Sequence, residues 1–211
     1  MENQTTSSET SQNNLLQQSK EDLQGTLKEF KENPKNFFEY AKRFFKSPDE
    51  ILENQYKGLK SSGLLVIIML VTLLLLNNLV TILSRTSLSM LKFSSFSNPF
   101  TYGVSYALIF IITIFAFKQI LSKQNSKFSL DFIIEKFGAL LLLPCALYAI
   151  AIPLNILNLT VYGWISGMGH TFIYLAVFMF AYLYLFPKDI KKSALALMAY
   201  YILTRLLFML L

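Results

Sequence analysis

The stretch that decides the fold is residues 137–187, FGALLLLPCALYAIAIPLNILNLTVYGWISGMGHTFIYLAVFMFAYLYLFP. It contains no Lys, Arg, Asp or Glu, and Lys136 and Lys188 stand at its two ends. As one helix it would extend roughly 76 Å, far more than the ~30 Å of hydrocarbon that a single transmembrane crossing needs. The stretch therefore predicts two crossings joined by a turn between Asn155 and His170, with both basic ends on the same side of a membrane.

The composition of the whole chain is typical of a membrane protein. Hydrophobic residues make up 54% of its 211 residues, and the mean hydropathy is +0.45. Five apolar segments have the length of a transmembrane helix, which predicts an all-α, polytopic transmembrane domain of five helices over residues 61–211. We expect these spans at residues 64–83, 100–117, 137–157, 168–186 and 193–211.

Two polar segments precede this domain. Residues 1–33 are rich in Glu, Asn, Gln, Ser and Thr, so we expect a disordered or weakly helical cytoplasmic tail. Residues 34–60 predict amphipathic helices, because at about 100° per residue their phenylalanines share one face. Such a face lies in the membrane interface, or it packs on a partner or on the protein's own cytosolic surface, and the sequence leaves both open. The face comprises Phe37, Phe38, Phe44 and Phe45, and Lys42 and Arg43 lie on the other side.

Residues 47–50, Ser-Pro-Asp-Glu, mark the start of a second helix within this segment. Ser47 is placed to cap its N-terminus, Pro48 suits the first helical position, and Glu50 completes a capping box. We expect this helix to run through Tyr56 and to be broken by residues 61–63, Ser-Ser-Gly, just before the first span.

The distribution of basic residues predicts the orientation. Of the 19 Lys and Arg side chains, 16 lie in the segments on the N-terminal side of the membrane, two lie on the other side, and Arg205 lies within the fifth span. The positive-inside rule then places the N-terminus in the cytoplasm and the C-terminus outside the cell membrane. Basic loops beside anionic headgroups also account for the net charge of +6, so the predicted partner is the lipid bilayer rather than nucleic acid.

Polar residues and prolines inside the spans are candidates for a transport pathway. Each proline removes one backbone hydrogen bond from the third span, and the freed carbonyls either line a pathway or are accommodated by neighbouring helices. Arg205 either binds an anionic substrate or lipid phosphate, or it snorkels to the interface or pairs within the protein. The candidate pathway residues are Asn77, Asn78, Pro144, Pro153, Asn155 and Arg205.

Catalytic and metal-binding patterns are weak. Ser166 and His170, four residues apart in the predicted outer turn, lack a second histidine or a nearby carboxylate in the sequence to orient a base. Asp131 and Glu135 predict a solvated helical face rather than a metal site. Cys145 is the only cysteine, which excludes an internal disulfide and a cysteine-based zinc site. The sequence therefore predicts no enzyme, no cofactor and no bound metal.

The layout resembles the Yip family of Ypt/Rab-interacting membrane proteins, and in particular its bacterial branch. The resemblance covers about residues 34–211 and is carried by the Phe-Lys-Ser-Pro-Asp-Glu-Ile sequence of residues 45–51 just before the first span, followed by five spans and an outside C-terminus. It implies a five-helix membrane fold and, in eukaryotic members, vesicle-trafficking partners. It implies no catalytic residues.

These patterns predict a non-enzymatic integral membrane protein that acts as a scaffold. Residues 34–60 would bind another membrane or cytoplasmic protein or the membrane surface. The alternative is a transport component or permease subunit whose pathway uses the proline-broken third span and Arg205. The oligomeric state is not predicted.

Overall fold

The computed structural model describes residues 34–53, 60–85, 93–124 and 128–210. The predicted tail, residues 1–33, and Tyr56 lie outside the described residues. Every regular element in the described ranges is helical, which confirms the all-α class. The elements are α1 Pro34–Lys46, α2 Pro48–Leu52, α3 Lys60–Arg85, α4 Phe93–Gln124, α5 Leu130–Leu140, α6 Leu142–Ile156, α7 Val161–Phe180, a π-helical segment Ala181–Leu185 that continues α7, and α8 Ile190–Leu210.

Four of these helical stretches are long and apolar enough to cross a membrane: Lys60–Ser84, Ser97–Lys123, Val161–Leu185 and Ile190–Leu210. Helices α5 and α6 together pass the same test, but they are bent by 44° where they meet. The described chain is therefore compatible with a multi-pass membrane protein of four spans, or of five if the bent pair is one span.

Pro144 accounts for the position of this bend. A proline has no N–H for the carbonyl four residues earlier, and its ring clashes with that carbonyl, here the one of Leu140. Helix α5 ends at Leu140, and the N–H of Leu141 donates to the carbonyls of Phe137 at 3.2 Å and Gly138 at 3.1 Å. Pro153, by contrast, is accommodated inside α6.

The predicted turn between Asn155 and His170 is wrong in extent. The chain leaves α6 after Ile156 and re-enters a helix at Val161, so the glycine-rich sequence that follows forms the first turns of α7. Only Asn158, with φ of 55°, takes a left-handed conformation in this connection. A helix satisfies its own backbone groups, which favours its continuation through Gly163 and Gly167 in an apolar setting.

Residues 61–63 also differ from the prediction, because they form part of the first turn of α3 rather than a break. The side chain of Ser47 likewise makes no capping hydrogen bond, although α2 does begin with Pro48. Helix α2 ends at Leu52, where the N–H of Glu53 donates to the carbonyl of Asp49 at 2.9 Å.

Helix α3 is central to the bundle, since it packs against α4, α5 and α6, while α8 packs against α7 and α4. Aromatic rings fill the core between α4, α5 and α7. Phe117 stacks on Phe180 with ring centroids 4.5 Å apart, and Phe137 meets both rings edge-on.

Along the chain the helices alternate in direction, so α3, α5 and α8 begin at one end of the bundle. We call it the basic end, and it carries Lys60, Lys123, Lys136, Lys188, Lys191 and Lys192.

Candidate functional site

Helices α1 and α2 are held against the basic end of the bundle by buried contacts. Ile51 of α2 is fully buried, and Tyr40 of α1 is 3% exposed. The Tyr40 hydroxyl donates to the Glu135 carbonyl at 3.0 Å, and the Tyr184 hydroxyl donates to the Leu52 carbonyl. The two short helices therefore form a docked unit, which we call the platform.

Lys136 is the polar centre of this docking. Its side chain is fully buried, and its Nζ donates to the Ile51 carbonyl at 2.6 Å and to Glu135 Oε1 at 2.9 Å. The ammonium group also lies 5.6 Å from the centroid of the Phe132 ring. A buried cation is expensive unless it is paired and hydrogen-bonded. Because the Ile51 carbonyl belongs to the last turn of α2, where a cation is favourable, Lys136 fastens the platform to α5.

Glu135 and Lys136 correct the prediction of a solvated carboxylate face. Glu135 is buried, whereas the Asp131 side chain is 57% exposed and pairs with Lys60 at 3.0 Å. The helix that contains the start of the third predicted segment, 137–157, begins earlier, at Leu130, and buries this charged pair within its length. The hydropathy pattern places the end of the apolar segment at Lys136, because hydropathy does not take into account that the lysine is paired with the adjacent Glu135.

The phenylalanines of α1 divide between two surfaces. Phe37 and Phe44 are half-buried and pack against the core, whereas Phe38 is 69% and Phe45 is 54% exposed. Adjacent residues on a helix point about 100° apart, so one member of each Phe-Phe pair turns inward and the other outward. The exposed pair is bordered by the exposed basic residues Lys42, Arg43 and Lys46.

Asn155 lies in a polar contact between α6 and α3. It is 1% exposed, and its Nδ2 donates to Thr81 Oγ1 at 2.8 Å and to the Asn77 carbonyl at 3.4 Å. The hydroxyl of Ser84 donates to Asn155 Oδ1 at 3.4 Å. The amide therefore links the two helices. Asn78 is only half-buried.

Arg205 lies elsewhere, on the exposed side of α8. Its Nε donates to the Tyr201 hydroxyl at 3.1 Å, and its guanidinium carbon lies 5.2 Å from the centroid of the Tyr201 ring. The Tyr201 ring in turn contacts that of Tyr174 on α7. Of the predicted pathway residues, the structure thus brings Asn77 and Asn155 together, while Pro144 is buried and Pro153 is exposed in α6.

Ser166 and His170 both lie in α7 and have separate hydrogen-bond partners. The Ser166 hydroxyl donates to the Gly163 carbonyl at 3.2 Å. The His170 Nδ1 lies 3.1 Å from the hydroxyl of Tyr106 on α4. The sequence did not indicate Tyr106, because 64 residues separate it from His170. Within the described residues, no three His, Cys, Asp or Glu side chains are grouped so that they could hold a metal ion.

No family model matches this chain, and neither a curated protein nor a solved structure matches it.

Proposed function

We propose that this chain is a non-enzymatic, five-span scaffold of a bacterial cell membrane, and that the platform binds a protein partner. In this account α5 and α6 together form the third span, the basic end faces the cytoplasm, and the C-terminus lies outside. The excess of basic residues at that end supports this orientation. The proposal also draws on the Yip-type resemblance, which is a likeness of sequence layout.

The single observation that carries the proposal is the docking of α2 by Lys136. A fully buried lysine that donates to the Ile51 carbonyl at 2.6 Å holds the platform in one position. A binding surface fixed before association loses less conformational entropy when its partner arrives. The platform is thus a preformed surface rather than a loose tether.

The outward face of α1 defines the chemistry of the partner. Phe38 and Phe45 expose large aromatic surfaces, and aromatic side chains surrounded by charge are typical anchors of protein interfaces. The neighbouring Lys42 and Arg43 favour carboxylates around those anchors. We therefore propose a partner that presents an apolar patch with an acidic rim.

Photo-crosslinking in native membranes tests this proposal. A benzophenone amino acid at position 38 or 45 should yield a covalent protein adduct, and the same group at the inward position 44 should not. Charge reversal at Lys42 and Arg43 should remove the adduct if the acidic rim is real. Adducts with lipid alone at positions 38 and 45 would reject the scaffold proposal and make α1 a membrane-surface helix.

The transport alternative has less support. Asn155 is bonded between α3 and α6, whereas Arg205 contacts Tyr201 on the exposed side of α8, so no shared pathway is formed from them. The test of transport is solute or ion flux in reconstituted vesicles. Flux that Arg205→Ala abolishes, in a variant that still folds, would favour transport over the scaffold.

A further inference from the structure

Arg205 is an exposed cation within an otherwise apolar part of α8. It follows Lys192, at the basic end, by 13 residues, which corresponds to roughly 20 Å along a helix, while the hydrocarbon core is about 30 Å thick. If α8 crosses the membrane from Lys192, the guanidinium therefore lies within the hydrocarbon core, short of the lipid headgroups of the far leaflet. A charge at this depth is costly unless a counter-charge reaches it.

The described part of the chain supplies little of that compensation. Among the described residues no carboxylate lies within ion-pair distance of Arg205, and its one side-chain hydrogen bond is from Nε to the Tyr201 hydroxyl. A guanidinium has five N–H donors, so its two terminal nitrogens are left to bind a group from outside the described protein. Tyr201 holds the plane of the guanidinium through this bond and the ring contact.

An apolar groove lies between α7 and α8, and its lining includes Tyr201, the residue that Arg205 contacts. It has a volume of about 300 Å³ and opens to the surroundings of the helices. Met198, Ile202 and Arg205 fall on one face of α8 at spacings of four and three residues, so Arg205 lies on the same face as these two lining residues and farther than they do from the basic end. Its lining residues are Tyr174, Leu197, Met198, Tyr201 and Ile202.

The geometry points to a phospholipid-binding site in the leaflet at the C-terminal end of α8. The terminal nitrogens of Arg205 bind the lipid phosphate, which matches the planar fork of a guanidinium. One acyl chain of the same lipid lies in the groove against Met198 and Ile202. In this arrangement the negative phosphate lies beside the guanidinium of Arg205, and the apolar acyl chain lies in the apolar groove. The site does not depend on the scaffold function proposed above.

Native mass spectrometry of the purified chain tests the site. Phosphatidylglycerol and a diacylglycerol with the same acyl chains are titrated separately, since only the first carries a phosphate. The wild-type chain should retain phosphatidylglycerol in preference to diacylglycerol. Arg205→Gln should weaken phosphatidylglycerol binding roughly tenfold, the scale of a lost charge-assisted hydrogen-bonded pair.

Two further variants separate the phosphate from the groove. Met198→Trp fills the groove while it keeps Arg205, and it should also weaken phosphatidylglycerol binding. Lys191→Gln removes an exposed charge at the other end of α8 and serves as the matched control, with unchanged binding expected. Circular dichroism of each variant verifies its fold. Equal retention of phosphatidylglycerol by folded Arg205→Gln and wild type, or equal retention of diacylglycerol and phosphatidylglycerol by the wild type, would overturn the proposal.

Discussion

Gly63 of α3 and Gly138 of α5 cross with their backbones in direct contact. A Cβ atom built on Gly138 would lie 2.5 Å from the Cα of Gly63, and one built on Gly63 would lie 2.6 Å from the Cα of Glu135. Real Cβ atoms do not approach other atoms so closely, so only glycine fits at either position. This crossing brings α5, with Glu135 and Lys136, against the start of the first apolar helix.

Gly63→Ala and Gly138→Ala should each destabilise the protein. The added methyl group meets rigid backbone, so the helices must separate, and overpacking of this kind costs about 1–3 kcal/mol of unfolding free energy. Thermal unfolding in detergent measures the effect. Gly163→Ala and Gly167→Ala are matched controls, because a Cβ at either position meets no atom within 4 Å. Equal stability of the crossing variants and the wild type would contradict the close contact.

Lys136→Met should release the platform. The substitution leaves the buried Glu135 carboxylate without its cation and the Ile51 carbonyl without that donor, and breaking a buried pair costs about 3–5 kcal/mol. Hydrogen exchange should rise across residues 37–52 relative to the core of α3. Adding Glu135→Gln should restore part of the protection.

Lys192→Met is the control for this prediction, because Lys192 pairs with Asp189 at an exposed site. Exposed ion pairs contribute about 0–1 kcal/mol, so exchange in the platform should not change. If Lys136→Met left exchange across residues 37–52 at the wild-type rate, the lysine would not fasten the platform.

Asn155→Leu should loosen the contact between α3 and α6. It removes the donor to Thr81 Oγ1 and leaves that half-buried hydroxyl without its partner on α6, and the loss of such a hydrogen bond costs about 1 kcal/mol. The thermal midpoint of unfolding reports the change. Asn78→Leu, at a half-buried position with no side-chain hydrogen bond to another described residue, should have a smaller effect. An effect at Asn78 as large as that at Asn155 would argue against the contact.

The contacts of Asp189, in the connection before α8, should make a small part of the protein's stability depend on pH. Its carboxylate accepts the Lys192 N–H at 3.1 Å and pairs with the Lys192 ammonium at 3.2 Å, and these contacts lower the pKa of Asp189. Because the folded pKa is the lower one, the stabilisation is complete above the unfolded value of about 3.9 and is lost as pH falls through the folded value. The difference in thermal midpoint between wild type and Asp189→Asn should therefore shrink between pH 6 and pH 3, values chosen to bracket roughly that range. A constant difference would contradict the assignment.

The apolar segments could be located from the sequence because hydropathy is a local property. The ends of the helices could not be located in this way. Lys136 borders an apolar segment of the sequence, yet it is buried inside α5, where it donates a hydrogen bond to the carbonyl of Ile51, 85 residues away. The Gly63–Gly138 crossing could not be predicted either. A glycine considered alone suggests a helix break, and the sequence does not show which residue of another helix it contacts. Long-range pairing decides both features. The division of the α1 phenylalanines into inward and outward sets likewise depends on a long-range contact, the docking of the platform against the basic end of the bundle.

If the platform is docked on the cytoplasmic face with Phe38 and Phe45 outward, as we propose, side chains at these two positions are accessible from that side of the membrane alone. Single cysteines at positions 38, 45, 44 and 51, in a Cys145→Ala background, are exposed to a membrane-impermeant maleimide in inside-out and right-side-out vesicles. We predict rapid labelling at 38 and 45 in inside-out vesicles alone, with slow labelling at 44 and 51. Labelling at 51 as fast as at 38, or labelling of 38 in right-side-out vesicles, would contradict it.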